Sequence, residues 1–293
     1  MADTMSSSFE QLSAAMAEAV AAAAGSVVAV HTGCSRSSGF SWRDGLIVTC
    51  DEALPDDADV TVHLPGGANA SAKLVGRDAG TDIALLRIEG KAPPPIAFDA
   101  SPVRAGSIAL AVGSLAGAPV AAAGVVSLSG PAWRSLRGGE IDARIELGLT
   151  LRRISEGGLA MDAQGRAIGM SVFGPRRRVF VIPGATIDRV AAQLAAHGRV
   201  PRGYLGVGLQ PVKLDPDGIG AMVMAIDRDG PAAKAGLHQG DVIVAWNGEP
   251  VRSVQALLRA LGPASVGTVV TLSLRRAGEP VEATITIGER PAD

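Results

Sequence analysis

Gly76-Arg77-Asp78-Ala79-Gly80-Thr81-Asp82-Ile83-Ala84-Leu85-Leu86 sets a polar, glycine-containing turn directly against an apolar run too short for a helix. Both parts belong to β structure: Gly and Asp make the turn, and Ile83–Ile88 reads as a buried strand. The same grammar repeats outward in both directions. Before it lie Ser26–Thr32, Ser38–Trp42, Leu46–Thr49, Asp59–Leu64 and Ala72–Gly76, separated by turns such as Arg43-Asp44-Gly45 and Pro65-Gly66-Gly67. After it come Ser107–Val112, Ala121–Leu128, Ile141–Ile145, Gly158–Met161, Ala167–Phe173 and Val179–Ile182. Two sets of about six short strands without βαβ alternation predict a mainly β fold of two packed antiparallel barrels.

The composition agrees with this reading. Hydrophobic residues make up 47% of the 293 and aromatic residues only 3%, so the cores are built from Val, Ile, Leu and Ala. The 37 Gly and 18 Pro suit many tight turns. A net charge of −2 excludes a global field that would draw nucleic acid or an anionic membrane. Arg176-Arg177-Arg178 is the one basic cluster, and it reads as a solvated turn. The uncharged stretch Ala105–Trp133 is long enough to span a bilayer. Gly113, Gly117, Pro119, Gly124 and Gly130 would break such a helix repeatedly, so strands and turns are expected and no membrane segment.

Cys34 and Cys50 are too few for a disulfide framework and read as reduced, bridging only if the compartment is oxidising. Met1-Ala2-Asp3-Thr4 lacks a basic n-region and Glu18 interrupts the alanine-rich run that follows, which points to a cytoplasmic location.

Four segments are expected along the chain. Residues 1–25 form an N-terminal helix, with helix preference over Phe9–Ala24, and residues 26–183 hold the double barrel. Residues 184–201 give a linker helix and hinge: Ile187, Val190, Ala191 and Leu194 share one face of Ala185–His197, and Gly198 stops it. Residues 202–289 form a separate unit. Its elements are strands Tyr204–Val212 and Met222–Ile226, a short helix Ala232–Ala235, strand Asp241–Trp246, helix Ser253–Leu261, and strands Val269–Arg275 and Val281–Ile287.

Several segments, in order, resemble the HtrA (Deg) serine proteases. They are Ser38-Gly39-Phe40 with Asp44–Thr49, the stretch 76–86, Ala111–Ser114, Ala123–Ser127 and Arg202–Val207. The resemblance covers almost the whole chain and implies a trypsin-like double six-stranded barrel followed by a PDZ domain, with no cofactor. It places the catalytic aspartate at Asp82. In the family's histidine segment this chain reads Thr49-Cys50-Asp51-Glu52-Ala53, so Glu52 stands at the histidine position. In the nucleophile segment it reads Ile154-Ser155-Glu156-Gly157-Gly158-Leu159-Ala160, so Glu156 stands at the serine position.

Ser-His-Asp chemistry needs an oxygen nucleophile, an imidazole base and an orienting carboxylate. The four histidines, His31, His63, His197 and His238, all lie elsewhere, and moving the register by one to make Ser155 the nucleophile supplies no base. No catalytic residue is therefore expected. Glu52, Asp82 and Glu156 are expected to converge. Three outcomes are open: charge pairing, with Arg152 or Arg153 for Glu156; a hard cation such as Ca²⁺ or Mg²⁺; or a shared-proton carboxyl pair.

The resemblance leaves the PDZ chemistry intact. Amides of Leu205, Gly206 and Val207, in the loop begun by Tyr204, would hold a peptide carboxylate. Leu205, Val207 and Leu209, with Val254, Leu257 and Leu258, are candidates for the apolar pocket or for ordinary core. The implied reading is a non-catalytic scaffold binding peptide or protein C-termini with an apolar last residue. Self-association or mixed assembly with an active paralogue is possible. The rivals are an active serine endopeptidase and a cation-binding regulator.

Overall fold

The computed structural model describes residues 2–33, 35–55, 59–135, 137–214 and 218–291, with side chains from residue 7 onward. The chain divides into two compact units, Met1–Val200 and Pro201–Asp293.

The first unit opens on α1 (Ala2–Ala24), which starts earlier than the helix preference alone suggested. β1 (Val27–His31), β2 (Arg36–Arg43), β3 (Leu46–Thr49), β4 (Val60–His63), β5 (Asn69–Asp78) and β6 (Ile83–Ile88) follow. They close into an antiparallel barrel in the order β1-β2-β3-β6-β5-β4. Alternation decides which side chain goes where, because successive strand residues point to opposite faces. Val28, Val30, Ile47, Val62 and Leu86 fill this barrel. Val27, Phe40, Val48 and Leu85, on the other face, join a larger core with residues of the second barrel.

The turn between β5 and β6 has a local cause. The Asp78 carboxylate accepts the Thr81 hydroxyl at 2.7 Å and the amides of Gly80 and Thr81 at 3.2 and 3.1 Å. Asp82 follows in the left-handed region, φ +58.

The second barrel contains β7 (Ile108–Leu115) and β8 (Ala118–Gly130), a small ladder of β9 (Trp133–Arg134) with β10 (Glu140–Ile141), then β11 (Arg144–Gly148), β12 (Leu159–Asp162), β13 (Ala167–Phe173) and β14 (Val179–Pro183). It closes in the order β11-β14-β13-β12-β7-β8. The uncharged stretch 105–133 thus becomes mostly the β7–β8 hairpin. Among the described residues no helix is long and apolar enough to cross a membrane.

Ile141–Ile145 is not one strand. Asp142 breaks it: its amide donates to the Thr186 hydroxyl at 3.0 Å, and its carboxylate accepts that hydroxyl at 2.6 Å and Arg189 at 2.9 Å. Thr186 and Arg189 lie on α2 (Gly184–His197), whose Ile187, Val190, Ala191 and Leu194 are buried. Trp42 ties the same helix to β2 by donating from Nε1 to Asp188 at 2.6 Å. Gly198, left-handed at φ +71, ends α2.

In the second unit β15 (Gly203–Tyr204) pairs with β22 (Gly288–Glu289). A sheet runs in the order β16 (Val207–Leu214), β17 (Gly218–Ile226), β18 (Val242–Trp246), β20 (Val269–Arg276), β21 (Glu279–Thr286), with β19 (Glu249–Pro250) on β18. The helices are α3 (Pro231–Lys234) and α4 (Val254–Ala260), the latter capped by Ser253, whose hydroxyl accepts the Ala256 amide at 3.0 Å. Tyr204–Val212 is therefore two strands, because Gly206 takes φ +75 and turns the chain between ladders.

Asp241 is the polar anchor of this unit. Its side chain is 1% exposed, accepts two bonds from Arg276 at 2.8 and 2.9 Å, and takes the His238 amide at 2.8 Å. The Arg276 bonds hold its carboxyl below the usual aspartate range. Removing Arg276 would leave that charge buried with only the backbone donor. Arg276→Ala is expected to destabilise the second unit by about 2 kcal/mol, read by denaturant unfolding.

Candidate functional site

Glu52 sits in a 3₁₀ turn, Asp51–Ala53, at the end of β3. Arg77 holds this turn from β5: its guanidinium pairs with the Asp51 carboxylate and donates to the carbonyls of Asp51 (3.2 Å) and Leu54 (2.6 Å). Asp82 binds the same turn from the other side. Its Oδ1 accepts the Glu52 amide at 2.9 Å, and its carbonyl accepts the Asp51 amide at 3.3 Å. Burial pushes the Asp82 carboxyl up to about 7; the Glu52 amide opposes this, and the charges of Glu52, Glu156 and Asp51 add to it. The Glu52 side chain is half-exposed and pairs with Arg137 at 3.2 Å.

Glu156 follows a second 3₁₀ turn, Arg153–Ser155. Ser38 of β2 fastens it. The Ser38 amide donates to the Glu156 carbonyl at 2.8 Å, and its hydroxyl donates to the Ile154 carbonyl at 2.6 Å while accepting the Ser114 amide at 2.9 Å. Gly157 continues at φ +79, where a Cβ would lie 2.5 Å from the Ser38 carbonyl oxygen and 2.9 Å from the Cys50 nitrogen. Only glycine fits that crossing.

The Glu156 side chain turns inward. It is 5% exposed, and its Oε1 accepts the Phe173 amide at 3.3 Å. Burial raises its carboxyl above the usual range, against that bond and the nearby charges of Arg153 and Arg177. The Glu156 amide donates to the Arg153 carbonyl at 3.2 Å, so it closes its own turn. Ser155 is buried against Gly113, whose Cβ, if present, would come within 2.7 Å of the Ser155 Cβ.

Two expectations change here. Glu156 has no ion pair with Arg152 or Arg153 among the described residues: both arginines are exposed, the carboxylate is buried against the Phe173 amide, and Arg153 acts on it only through its charge. The arginine partner belongs to Glu52 instead. The three carboxylates act on one another's charge, yet among the described residues no group of three His, Cys, Asp or Glu side chains is close enough to hold a metal ion. Asp82 is reached through the backbone of Glu52, and Glu156 is drawn to Phe173.

Cys50 is the neighbour that sequence reasoning missed. It is fully buried and free, and burial pushes its thiol well up, reinforced by Asp82 and Glu156. Its place immediately before Asp51 was the available signal. Cys34, which would bridge to it only in an oxidising compartment, lies outside the described residues. The histidines stand apart: His31 and His63 meet at the ends of β1 and β4 with ring centroids 4.1 Å apart, and His197 ends α2.

In the second unit the Tyr204–Val207 loop is held by backbone bonds from Ala232 to the Leu205 carbonyl and from Asp227 to the Gly206 carbonyl, both 2.8 Å. The amides of Leu205 and Gly206 donate to no acceptor among the described residues. β16 leads away from this loop as an edge strand, paired only with β17, and α4 lies against it. Leu205 and Leu257 are core, Val207, Leu209 and Val254 are partly buried against that core, and Leu258 is 54% exposed.

A closed pair of six-stranded antiparallel barrels with a separate sheet-and-helix unit defines a trypsin-like domain followed by a PDZ domain. Residues 37–170 match the trypsin-like peptidase domain and residues 203–287 the PDZ domain. The chain is 35% identical over 279 residues to a probable periplasmic serine endoprotease DegP-like of Brucella suis, a match covering 88% of this chain and 53% of that protein. The corresponding protein of Chlamydia trachomatis is 33% identical over 275 residues, covering 88% and 55%. The chain thus spans about half the length of the curated relatives it matches.

Among solved structures, the serine endoprotease from Yersinia pestis superposes with a TM-score of 0.73 at 28% identity, covering 93% of this chain and 97% of that one. The HtrA-type protease AlgW with tripeptide gives 0.70 at 28%, covering 94% and 98%. The chain thus combines a trypsin-like peptidase domain with a PDZ domain and is a homologue of the HtrA (DegP) proteins. Its curated relatives are named periplasmic, which overturns the cytoplasmic placement expected from the N-terminal residues. Compartment is set by export signals that folding does not need, so local composition was a poor guide to it.

Proposed function

We propose that this chain is a non-catalytic HtrA-type protein that works through its PDZ domain by capturing peptide or protein C-termini with an apolar last residue. The observation that carries the first half is Glu156: a buried carboxylate, bonded to the Phe173 amide, stands where a nucleophilic serine is needed. Three further features support it. Glu52 takes the base position and has no imidazole, and Asp82 has no histidine to orient and instead holds the Glu52 amide. The Glu156 amide, which an oxyanion hole would require, is used within its own turn. The rival nucleophile, Ser155, is buried against Gly113 and has no base beside it.

The PDZ half rests on the unused amides of Leu205 and Gly206 beside the open edge of β16. A free carboxylate accepts from such amides while the peptide extends the sheet.

A serine-directed fluorophosphonate is expected to leave the chain unlabelled and casein intact, while an active HtrA-type protease treated in parallel is labelled and digests it. Stoichiometric labelling of Ser155 would overturn the non-catalytic reading.

A further inference from the structure

Arg152, Arg153, Arg176 and Arg177 form no ion pair in the site described so far, although the charges of Arg153 and Arg177 act on the Glu156 carboxyl. Arg152 and Arg153 lie on the turn that precedes Glu156, and Arg176 and Arg177 lie at the tip of the β13–β14 hairpin; all four are exposed. None has a carboxylate at salt-bridge distance among the described residues. Arg87 and Arg104 are exposed and without an ion pair too, so what distinguishes Arg153 and Arg177 is that both act on one buried carboxylate.

The two loops meet through Glu156. Its carboxylate takes the amide of Phe173, and the Arg177 guanidinium lies over the Phe173 ring at 4.7 Å. That stacking fixes the direction of one cation while leaving its N–H groups free. The hairpin tip is also strained: Arg176 and Arg177 are consecutive non-glycine residues in the left-handed region, at φ 58 and 57. Glycine would hold this turn at lower cost. Backbone strain at an exposed tip made of two cationic side chains points to a use for those side chains.

We propose that Arg152, Arg153, Arg176 and Arg177 form a docking surface for an acidic peptide segment of a partner protein, separate from the C-terminus site of the PDZ domain. Guanidinium forks match carboxylates in a two-bond geometry. Overall charge decides against a nucleic acid: the whole chain carries net −2, so no global field would hold a continuous phosphate chain. An acidic peptide is a discontinuous anion. It can set individual carboxylates on single guanidinium groups without such a field.

The test uses the full chain and a fluorescein-labelled peptide of alternating glutamate and glycine with an amidated C-terminus, which removes the carboxylate a PDZ loop would hold. Anisotropy is expected to report binding at low salt that weakens as salt rises. An unlabelled peptide with a free apolar C-terminus should not displace it. Arg153→Ala with Arg177→Ala should weaken binding about tenfold, and lysine at both positions should recover part of the loss. Arg176→Gly should weaken binding while keeping or raising the melting temperature, the outcome expected if strain is maintained for a ligand.

Absence of binding at low salt would overturn the proposal, as would equal binding by the double alanine variant or a fall in melting temperature in Arg176→Gly. Tighter binding of a single-stranded DNA oligonucleotide, or of vesicles of phosphatidylglycerol and phosphatidylcholine in equal parts, would overturn it too. Loss of this site and loss of the PDZ reading are distinguished because the amidated peptide reports only the first.

Discussion

Gly206→Glu is expected to abolish the proposed capture of a peptide with a free apolar C-terminus, weakening it by about a hundredfold or more, while the protein stays folded. Three causes act together. Gly206 holds φ +75, a conformation that costs little only for glycine. A Cβ there would lie 3.1 Å from the Gly230 Cα and 3.3 Å from the Asp227 Cβ, so the loop must shift and its amides lose their aim. The new carboxylate would also face the peptide's terminal carboxylate and repel it. Anisotropy with free and amidated versions of one peptide reads the effect, and thermal melting checks the fold. Unchanged binding in Gly206→Glu, or equal binding of the amidated peptide, would remove this loop from the binding site.

The second large effect concerns Asp82. Its carboxyl is raised to about 7 in the folded chain from an ordinary 3.8. A group shifted upward binds more protons folded than unfolded, so its contribution is full below about pH 4 and is lost as pH rises through about 7. The shift of roughly three pH units corresponds to about 4 kcal/mol of ionisation cost at alkaline pH, to order of magnitude. Asp82→Asn removes that cost while its amide oxygen still accepts the Glu52 amide. The variant is expected to match the wild type near about pH 4 and to be about 2–4 kcal/mol more stable near about pH 8.5. Glu156, shifted in the same direction, leaves some slope in the variant. Urea unfolding at the two pH values measures it, and no gain near about pH 8.5 would show that Asp82 is not under strain from its own charge.

Much of this architecture was legible in short stretches. The short apolar runs Ile83–Ile88 and Ala167–Phe173 and the turns at Asp44-Gly45 and Asp78–Thr81 can be read within a few residues, and the strands appear there. Misreadings came where a distant partner overrode local preference. Asp142 splits the Ile141–Ile145 run because Thr186 and Arg189 of α2 claim its polar groups. The Tyr204–Val212 run is split because β22 and β17 draw its two ends into different ladders.

The quoted stretch 76–86 shows the same division at the scale of the site. Its turn and strand are local, and so is the presence of Glu52 and Glu156 at the positions the proposed reading assigns to base and nucleophile. The pairing of those residues is not local. Glu52 meets Arg137, Glu156 meets Phe173, and Cys50 is buried near Asp82 and Glu156 only when two barrels close on a shared core. Strand alternation and turn chemistry act over a few bonds and can be read along the chain. Ion pairing and desolvation act through space, so they take their values only once closure brings remote residues together and excludes water.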